Sequence, residues 1–163
     1  MREASDSRTV TDTDSYAFSY KPINQSNANE RKTAATKVFM NIYKSWLKQH
    51  GIPFKELPFG LHFQYQGGSF LVADNSGDSQ FFQLLMPNIY EGEVSERNRI
   101  LEMCNKINGD KKVVKAHITD DNRVWLTTEI LIDNTPDVDD FFDRLLQMLH
   151  QSRMEFMMKY HQF

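Results

Sequence analysis

Between Leu61 and Met86 three short apolar runs are separated by tight turns. That pattern limits the possible folds more than any other feature of the chain. Leu61, Phe63 and Tyr65 alternate with His62, Gln64 and Gln66, the period-two signature of a half-buried strand. Gly67-Gly68 predicts a two-residue hairpin, because both positions tolerate positive φ. Phe70 to Ala73 is the return strand, Asn75-Ser76-Gly77-Asp78 a second turn, and Ser79 to Met86 a third strand closed by Pro87. Strands joined this tightly must run antiparallel, since a parallel pair needs a long crossover.

Helical periodicity brackets this meander. Over residues 31–50, Ala35, Val38, Phe39, Ile42, Tyr43, Trp46 and Leu47 form one apolar face. Gly51 then suits the position past a helix end, and Pro53 and Pro58 forbid continuation. A second helix is expected from Ser95, an N-cap residue, to Gly109, with Ile100, Met103, Cys104 and Ile107 inward. Two strands follow, Val113 to Asp120 and Arg123 to Ile132, joined by a turn at Asp121-Asn122. Thr135-Pro136-Asp137 signals the last helix. Asp137, Asp139, Asp140 and Asp143 sit where the helix dipole favours negative charge. Continued to Phe163, that helix would be ~27 residues and ~40 Å long. The expected fold is α+β, in the order α-β-β-β-α-β-β-α, with helices packed on an antiparallel sheet.

Residues 31–163 are expected to form that single domain. Residues 1–30 read as a polar tail: fourteen of them are Ser, Thr, Asp or Asn, too polar to offset the entropy of ordering. Within them Tyr16, Phe18 and Tyr20 alternate with Ala17 and Ser19, and Ile23 follows Pro22. This spacing suits an extended segment docked on this body or on a partner's.

Composition excludes several classes. Nineteen basic against 22 acidic residues leave a net charge of −3, against the basic excess of a nucleic-acid binder. One Cys allows neither an internal disulfide nor a Cys-rich zinc site. No apolar run approaches the ~18 residues of a membrane span, and the first residues lack a signal-peptide core. A cytoplasmic protein is expected, with no membrane or nucleic-acid partner.

Catalytic patterns are equally scarce. The five His, at 50, 62, 117, 150 and 161, have no helical i, i+3 or i+4 pairing. Asp74, Ser76 and Asp78 lack the Gly and terminal Glu of a calcium loop. Cys104 reads as a buried free thiol, and Glu129 as a surface or ion-paired carboxylate. No phosphate-binding Gly loop and no nucleophile elbow is present. No catalytic residue, metal ligand or cofactor site is therefore expected. Lys37, Lys44 and Lys48 read as a solvated helix face opposite Trp46. The apolar end of the last helix, with Met154, Met157, Met158, Tyr160 and Phe163, reads either as a contact surface, because Met adapts to varied partners, or as packing against its own domain; the length of the helix beyond the sheet keeps the contact surface in play.

Four stretches carry a resemblance: Phe81-Phe82-Gln83-Leu84-Leu85-Met86-Pro87, Cys104-Asn105-Lys106-Ile107-Asn108, Val113-Val114-Lys115-Ala116 and Val124-Trp125-Leu126-Thr127-Thr128-Glu129. Together with the element order, they make the chain resemble the bacterial YbjN family, whose fold is like that of type III secretion chaperones. Of these motifs, the Asn-x-x-Asn that runs into a Lys-bearing strand looks most like the family. The resemblance implies a small cytoplasmic homodimer that holds an extended segment of a client protein. The motifs are structural, so no catalytic residue carries over. The expectation is a non-enzymatic protein-binding module. The alternative is a sensory or regulatory protein holding a small ligand between sheet and helices, beside aromatics such as Trp46 and Trp125.

Overall fold

The computed structural model describes residues 39–161. The expected tail residues Tyr16, Phe18, Tyr20 and Ile23, the cation Lys37, and Phe163 lie outside the described residues. Helix α1 is described over residues 39–49. The sheet strands are β1 (Phe54–Leu57), β2 (Gly60–Tyr65), β3 (Gly68–Ala73), β4 (Phe81–Glu91), β5 (Val114–Ile118) and β6 (Arg123–Leu131). Helix α2 (Arg97–Asp110) precedes β5, and α3 (Phe142–His161) closes the chain. All neighbours pair antiparallel in the order β1-β2-β3-β4-β6-β5. The α+β class and its antiparallel sheet agree with the sequence reading, with one strand more.

That extra strand is β1, four residues between Pro53 and Pro58. It is too short to show a period, and the prolines stand outside its ends. Pairing with β2, Phe54 opposite Phe63 through Leu57 opposite Gly60, makes it a strand.

The first hairpin turns one residue earlier than expected. Gln66 (φ 47°) and Gly67 (φ 73°) take the left-handed positions, while Gly68 pairs with Tyr65 inside the ladder. Nor does Pro87 close β4. The strand runs on to Glu91, with residues 87–89 bulged out between the pairs Met86–Leu126 and Tyr90–Val124. Proline's missing N–H is tolerated at a bulge, and the Trp125 indole N–H donates to Asn88 Oδ1 at 2.9 Å across it.

Helix boundaries also shift. Glu93 and Glu96 form a capping box around a 3-10 turn, Val94–Glu96, so Ser95 lies inside the turn it was expected to cap. Helix α2 passes Gly109, ends at Asp110, and is followed by an extended Lys111. The last helix is not one 27-residue rod. Asp137 accepts the Asp139 N–H and opens a 3-10 turn, Val138–Asp140; α3 starts only at Phe142.

Alternation along the strands sends Leu61, Phe63, Phe70, Val72, Phe82, Leu84, Val124 and Leu126 to the face covered by the helices, each at most 2% exposed. Phe142 sits at the centre of that core. Its ring lies 4.5 Å from Trp46, 5.8 Å from Phe82 and 5.9 Å from Tyr43, centroid to centroid, so it joins α1, the sheet and α3. The opposite face presents Lys115, His117, Trp125, Glu129 and Leu131, and no described helix covers it.

Candidate partner-binding edge

The two edge strands of the sheet differ in what their outer sides offer. In an antiparallel ladder alternate residues aim both N–H and C=O away from the paired neighbour, which leaves a template for another strand. On β5 the central residue is already occupied. The Asn108 amide, on α2, donates from Nδ2 to the Ala116 carbonyl at 3.0 Å and accepts the Ala116 N–H on Oδ1 at 2.6 Å. A side-chain amide carries one donor and one acceptor in the spacing of a peptide group, so Asn108 mimics one residue of an added strand. The sequence resemblance rested in part on this Asn. Its role was invisible there, because nothing local ties residue 108 to residue 116.

The edge at β1 has no such plug and no further paired strand among the described residues. It is flanked by two clefts. One of about 250 Å³ lies along Pro53, Phe54, His62 and Phe63; the other, of about 190 Å³, lies between Met40 and Lys44 of α1 and Glu56 and Leu57 of β1. Lys44 Nζ pairs with Glu56 Oε2 at 2.7 Å, so the expected free lysine face of α1 is partly engaged.

A third concavity, about 630 Å³ and wide open, lies between α1 and residues 135–139. Here the acidic start of the last helical segment meets the first helix: the Trp46 indole N–H donates to Asp139 Oδ1 at 2.8 Å. Trp46 is itself 4% exposed and stacked on His50. Trp125 stands on the far side of the sheet, so the two tryptophans cannot line one ligand site.

At the end of α3 the expected contact residues separate into two sets. Tyr160 and Met157 pack on the core. The Tyr160 hydroxyl donates to Glu96, which also accepts the Tyr90 hydroxyl at 3.1 Å and the Glu93 N–H at 3.0 Å. Arg99 lies 4.6 Å above the Tyr160 ring and donates to the Tyr160 carbonyl at 2.6 Å. These donors hold the Glu96 carboxyl below its usual range, the Tyr160 hydroxyl contributing most. Met154 and Met158, 44% and 56% exposed, remain outside.

The groups considered for chemistry are dispersed. Burial pushes the Cys104 thiol up to about 11, which keeps it protonated and unreactive near neutrality. Glu129 is paired with Lys115 at 2.5 Å, and that hydrogen bond lowers its pKa. His62 bonds the Ser69 hydroxyl at 2.7 Å. Among the described residues, no group of three or more His, Cys, Asp or Glu could hold a metal ion, and no helix is long and apolar enough to cross a membrane.

This architecture is the α+β fold shared by YbjN and a type III secretion chaperone. No family model and no curated protein matches the chain. Solved structures do. YbjN from E. coli superposes with a TM-score of 0.58 at 19% identity, over 75% of this chain and 92% of that one. A protein from Methanothermobacter thermautotrophicus gives 0.56 at 11% identity, over 76% and 97%. The Yersinia pestis type III secretion chaperone SycH, in complex with a stable fragment of YscM2, gives 0.50 at 10% identity, over 72% and 98%.

Proposed function

We propose that this chain is a non-enzymatic protein-binding module, cytoplasmic and homodimeric, that takes an extended segment of a partner protein along β1. The observation that carries the reading is the inequality of the two edges: β5 is plugged by Asn108, while no described strand pairs with the outer side of β1, which lies between two clefts. Strand addition gains affinity from main-chain hydrogen bonds and specificity from pockets for alternate side chains, and β1 offers both. The likeness to SycH, a chaperone in complex with a protein fragment, supports the same reading. For the dimer, Met154 and Met158 supply exposed apolar surface one helical turn apart.

The test is amide exchange on the chain with its captured partner bound. The amides of Phe54–Leu57 should be protected in the complex, while those of Val114–Ile118 stay as in the free protein. Protection confined to β5, or absent from both edges, would overturn the edge assignment. The small-ligand alternative has one observation in its favour, the cleft of about 630 Å³ beside α1. A metabolite that raises Tm, and whose effect is lost in Gln49→Trp, would support it.

A further inference from the structure

The edge at β1 is short. A four-residue strand turns the N–H and C=O of only two residues outward, and Lys55 and the flanking prolines discourage indiscriminate pairing. With net contributions of about 0.5–1.5 kcal/mol per hydrogen bond, such an edge holds a free peptide weakly. A tethered segment escapes that weakness, because a short flexible link provides an effective concentration on the order of mM.

The chain carries a segment suited to the edge. Tyr16, Phe18 and Tyr20 are spaced by two, so in an extended conformation their rings fall on one face. Helix α1, onto which residues 1–38 lead, runs beside β1. Met40 borders the same cleft as Leu57, and Lys44, five residues after Phe39 or ~7.5 Å along the axis, bonds Glu56.

Reach is not limiting. Residues 24–38, fifteen in number, span up to ~50 Å extended and still ~22 Å if wholly helical. Strand β1 is only ~13 Å long. The mostly apolar cleft along Pro53, Phe54 and Phe63 offers aromatic rings a place beside the added strand.

We propose that residues Tyr16–Ile23 add to β1 of the same molecule as an internal occupant, which a partner segment must displace. This rests on the reading of β1 as the binding edge. It makes the module self-covered when unloaded, so that only a segment with better-fitting side chains opens it.

The experiment uses the full chain and the full-chain variant Tyr16→Ser/Phe18→Ser/Tyr20→Ser, whose changes lie outside residues 39–161. Amide exchange is followed at low and high protein concentration. In the unaltered chain the outward amides of β1 should exchange about tenfold or more slowly than in the variant, at both concentrations. β4 and β6 should be slow in both proteins, which controls for folding. A synthetic peptide of residues 14–24 at mM concentration should restore protection to the variant. Equal β1 exchange in chain and variant overturns the internal occupant. Protection that appears only at high concentration, with a doubled mass, overturns it in favour of exchange between copies. Loss of the internal occupant, with the added peptide still protecting β1, leaves the edge reading intact; if neither this peptide nor a captured partner protects β1, the edge reading fails as well.

Discussion

Val113 carries a φ of 62° in the link between α2 and β5, a region that costs a β-branched residue about 1–2 kcal/mol. Its side chain is 47% exposed, so little packing offsets the strain. Val113→Gly should stabilise the protein by roughly 1 kcal/mol, part of the gain being returned as glycine's extra unfolded-state freedom. Thermal unfolding should show a rise of roughly 3–5 °C. Asn108 is the opposite case, an exposed polar residue whose two hydrogen bonds reach another element. Asn108→Ala should cost about 1–3 kcal/mol and free the outer side of β5. Denaturant melts would show the loss, and light scattering should show new edge-to-edge association; an unchanged mass together with unchanged stability would mean the plug is idle.

Whole elements are held by a few aromatic rings. The ring of Phe142 fixes α3 to α1 and to the sheet at once. Phe142→Ala should cost about 3–5 kcal/mol, a large share of the stability of a domain this size. Urea unfolding is the measurement. The Met157 and Tyr160 side chains, two of the residues expected as a contact surface, pack on the core, with the Tyr160 ring under Arg99 of α2. The reason is length: α3 has 20 residues, not 27, because the 3-10 turn Val138–Asp140 takes the first part of the periodic stripe. Helical period marks which face is apolar but not where the helix starts along that stripe, so the sequence could not say which residues overhang.

At the scale of the whole molecule, charge and association can be tested together. The carboxyls of Glu96, Asp121, Glu129 and Glu155 are all held below their usual range, chiefly by the hydroxyls of Tyr160 and Thr119 and by Lys115 and Lys111. A folded pKa below the unfolded one stabilises above the unfolded carboxylate range and loses that stability as pH falls through the folded value. Stability should therefore be level above about pH 5 and fall steadily below about pH 4. Glu96→Gln should flatten part of that fall, read as Tm against pH. For the proposed dimer, Met158→Glu should lower the mass seen by light scattering to that of one chain while Tm stays near the original. The same change at Met157 should act mainly on stability.

The sequence by itself determined the antiparallel meander and the apolar face of each helix, because these follow from local period, turn residues and residue type. Tertiary structure alone decided that Phe54–Leu57 is a strand, that β4 bulges past Pro87 rather than stopping, and that Asn108 closes one edge of the sheet while β1, the other edge, pairs with no further strand among the described residues. Each of these depends on backbone groups brought together from distant positions, where hydrogen-bond partners are set by strand pairing within the sheet and by the packing of α2 against it, and leave no mark on the spacing of neighbouring residues.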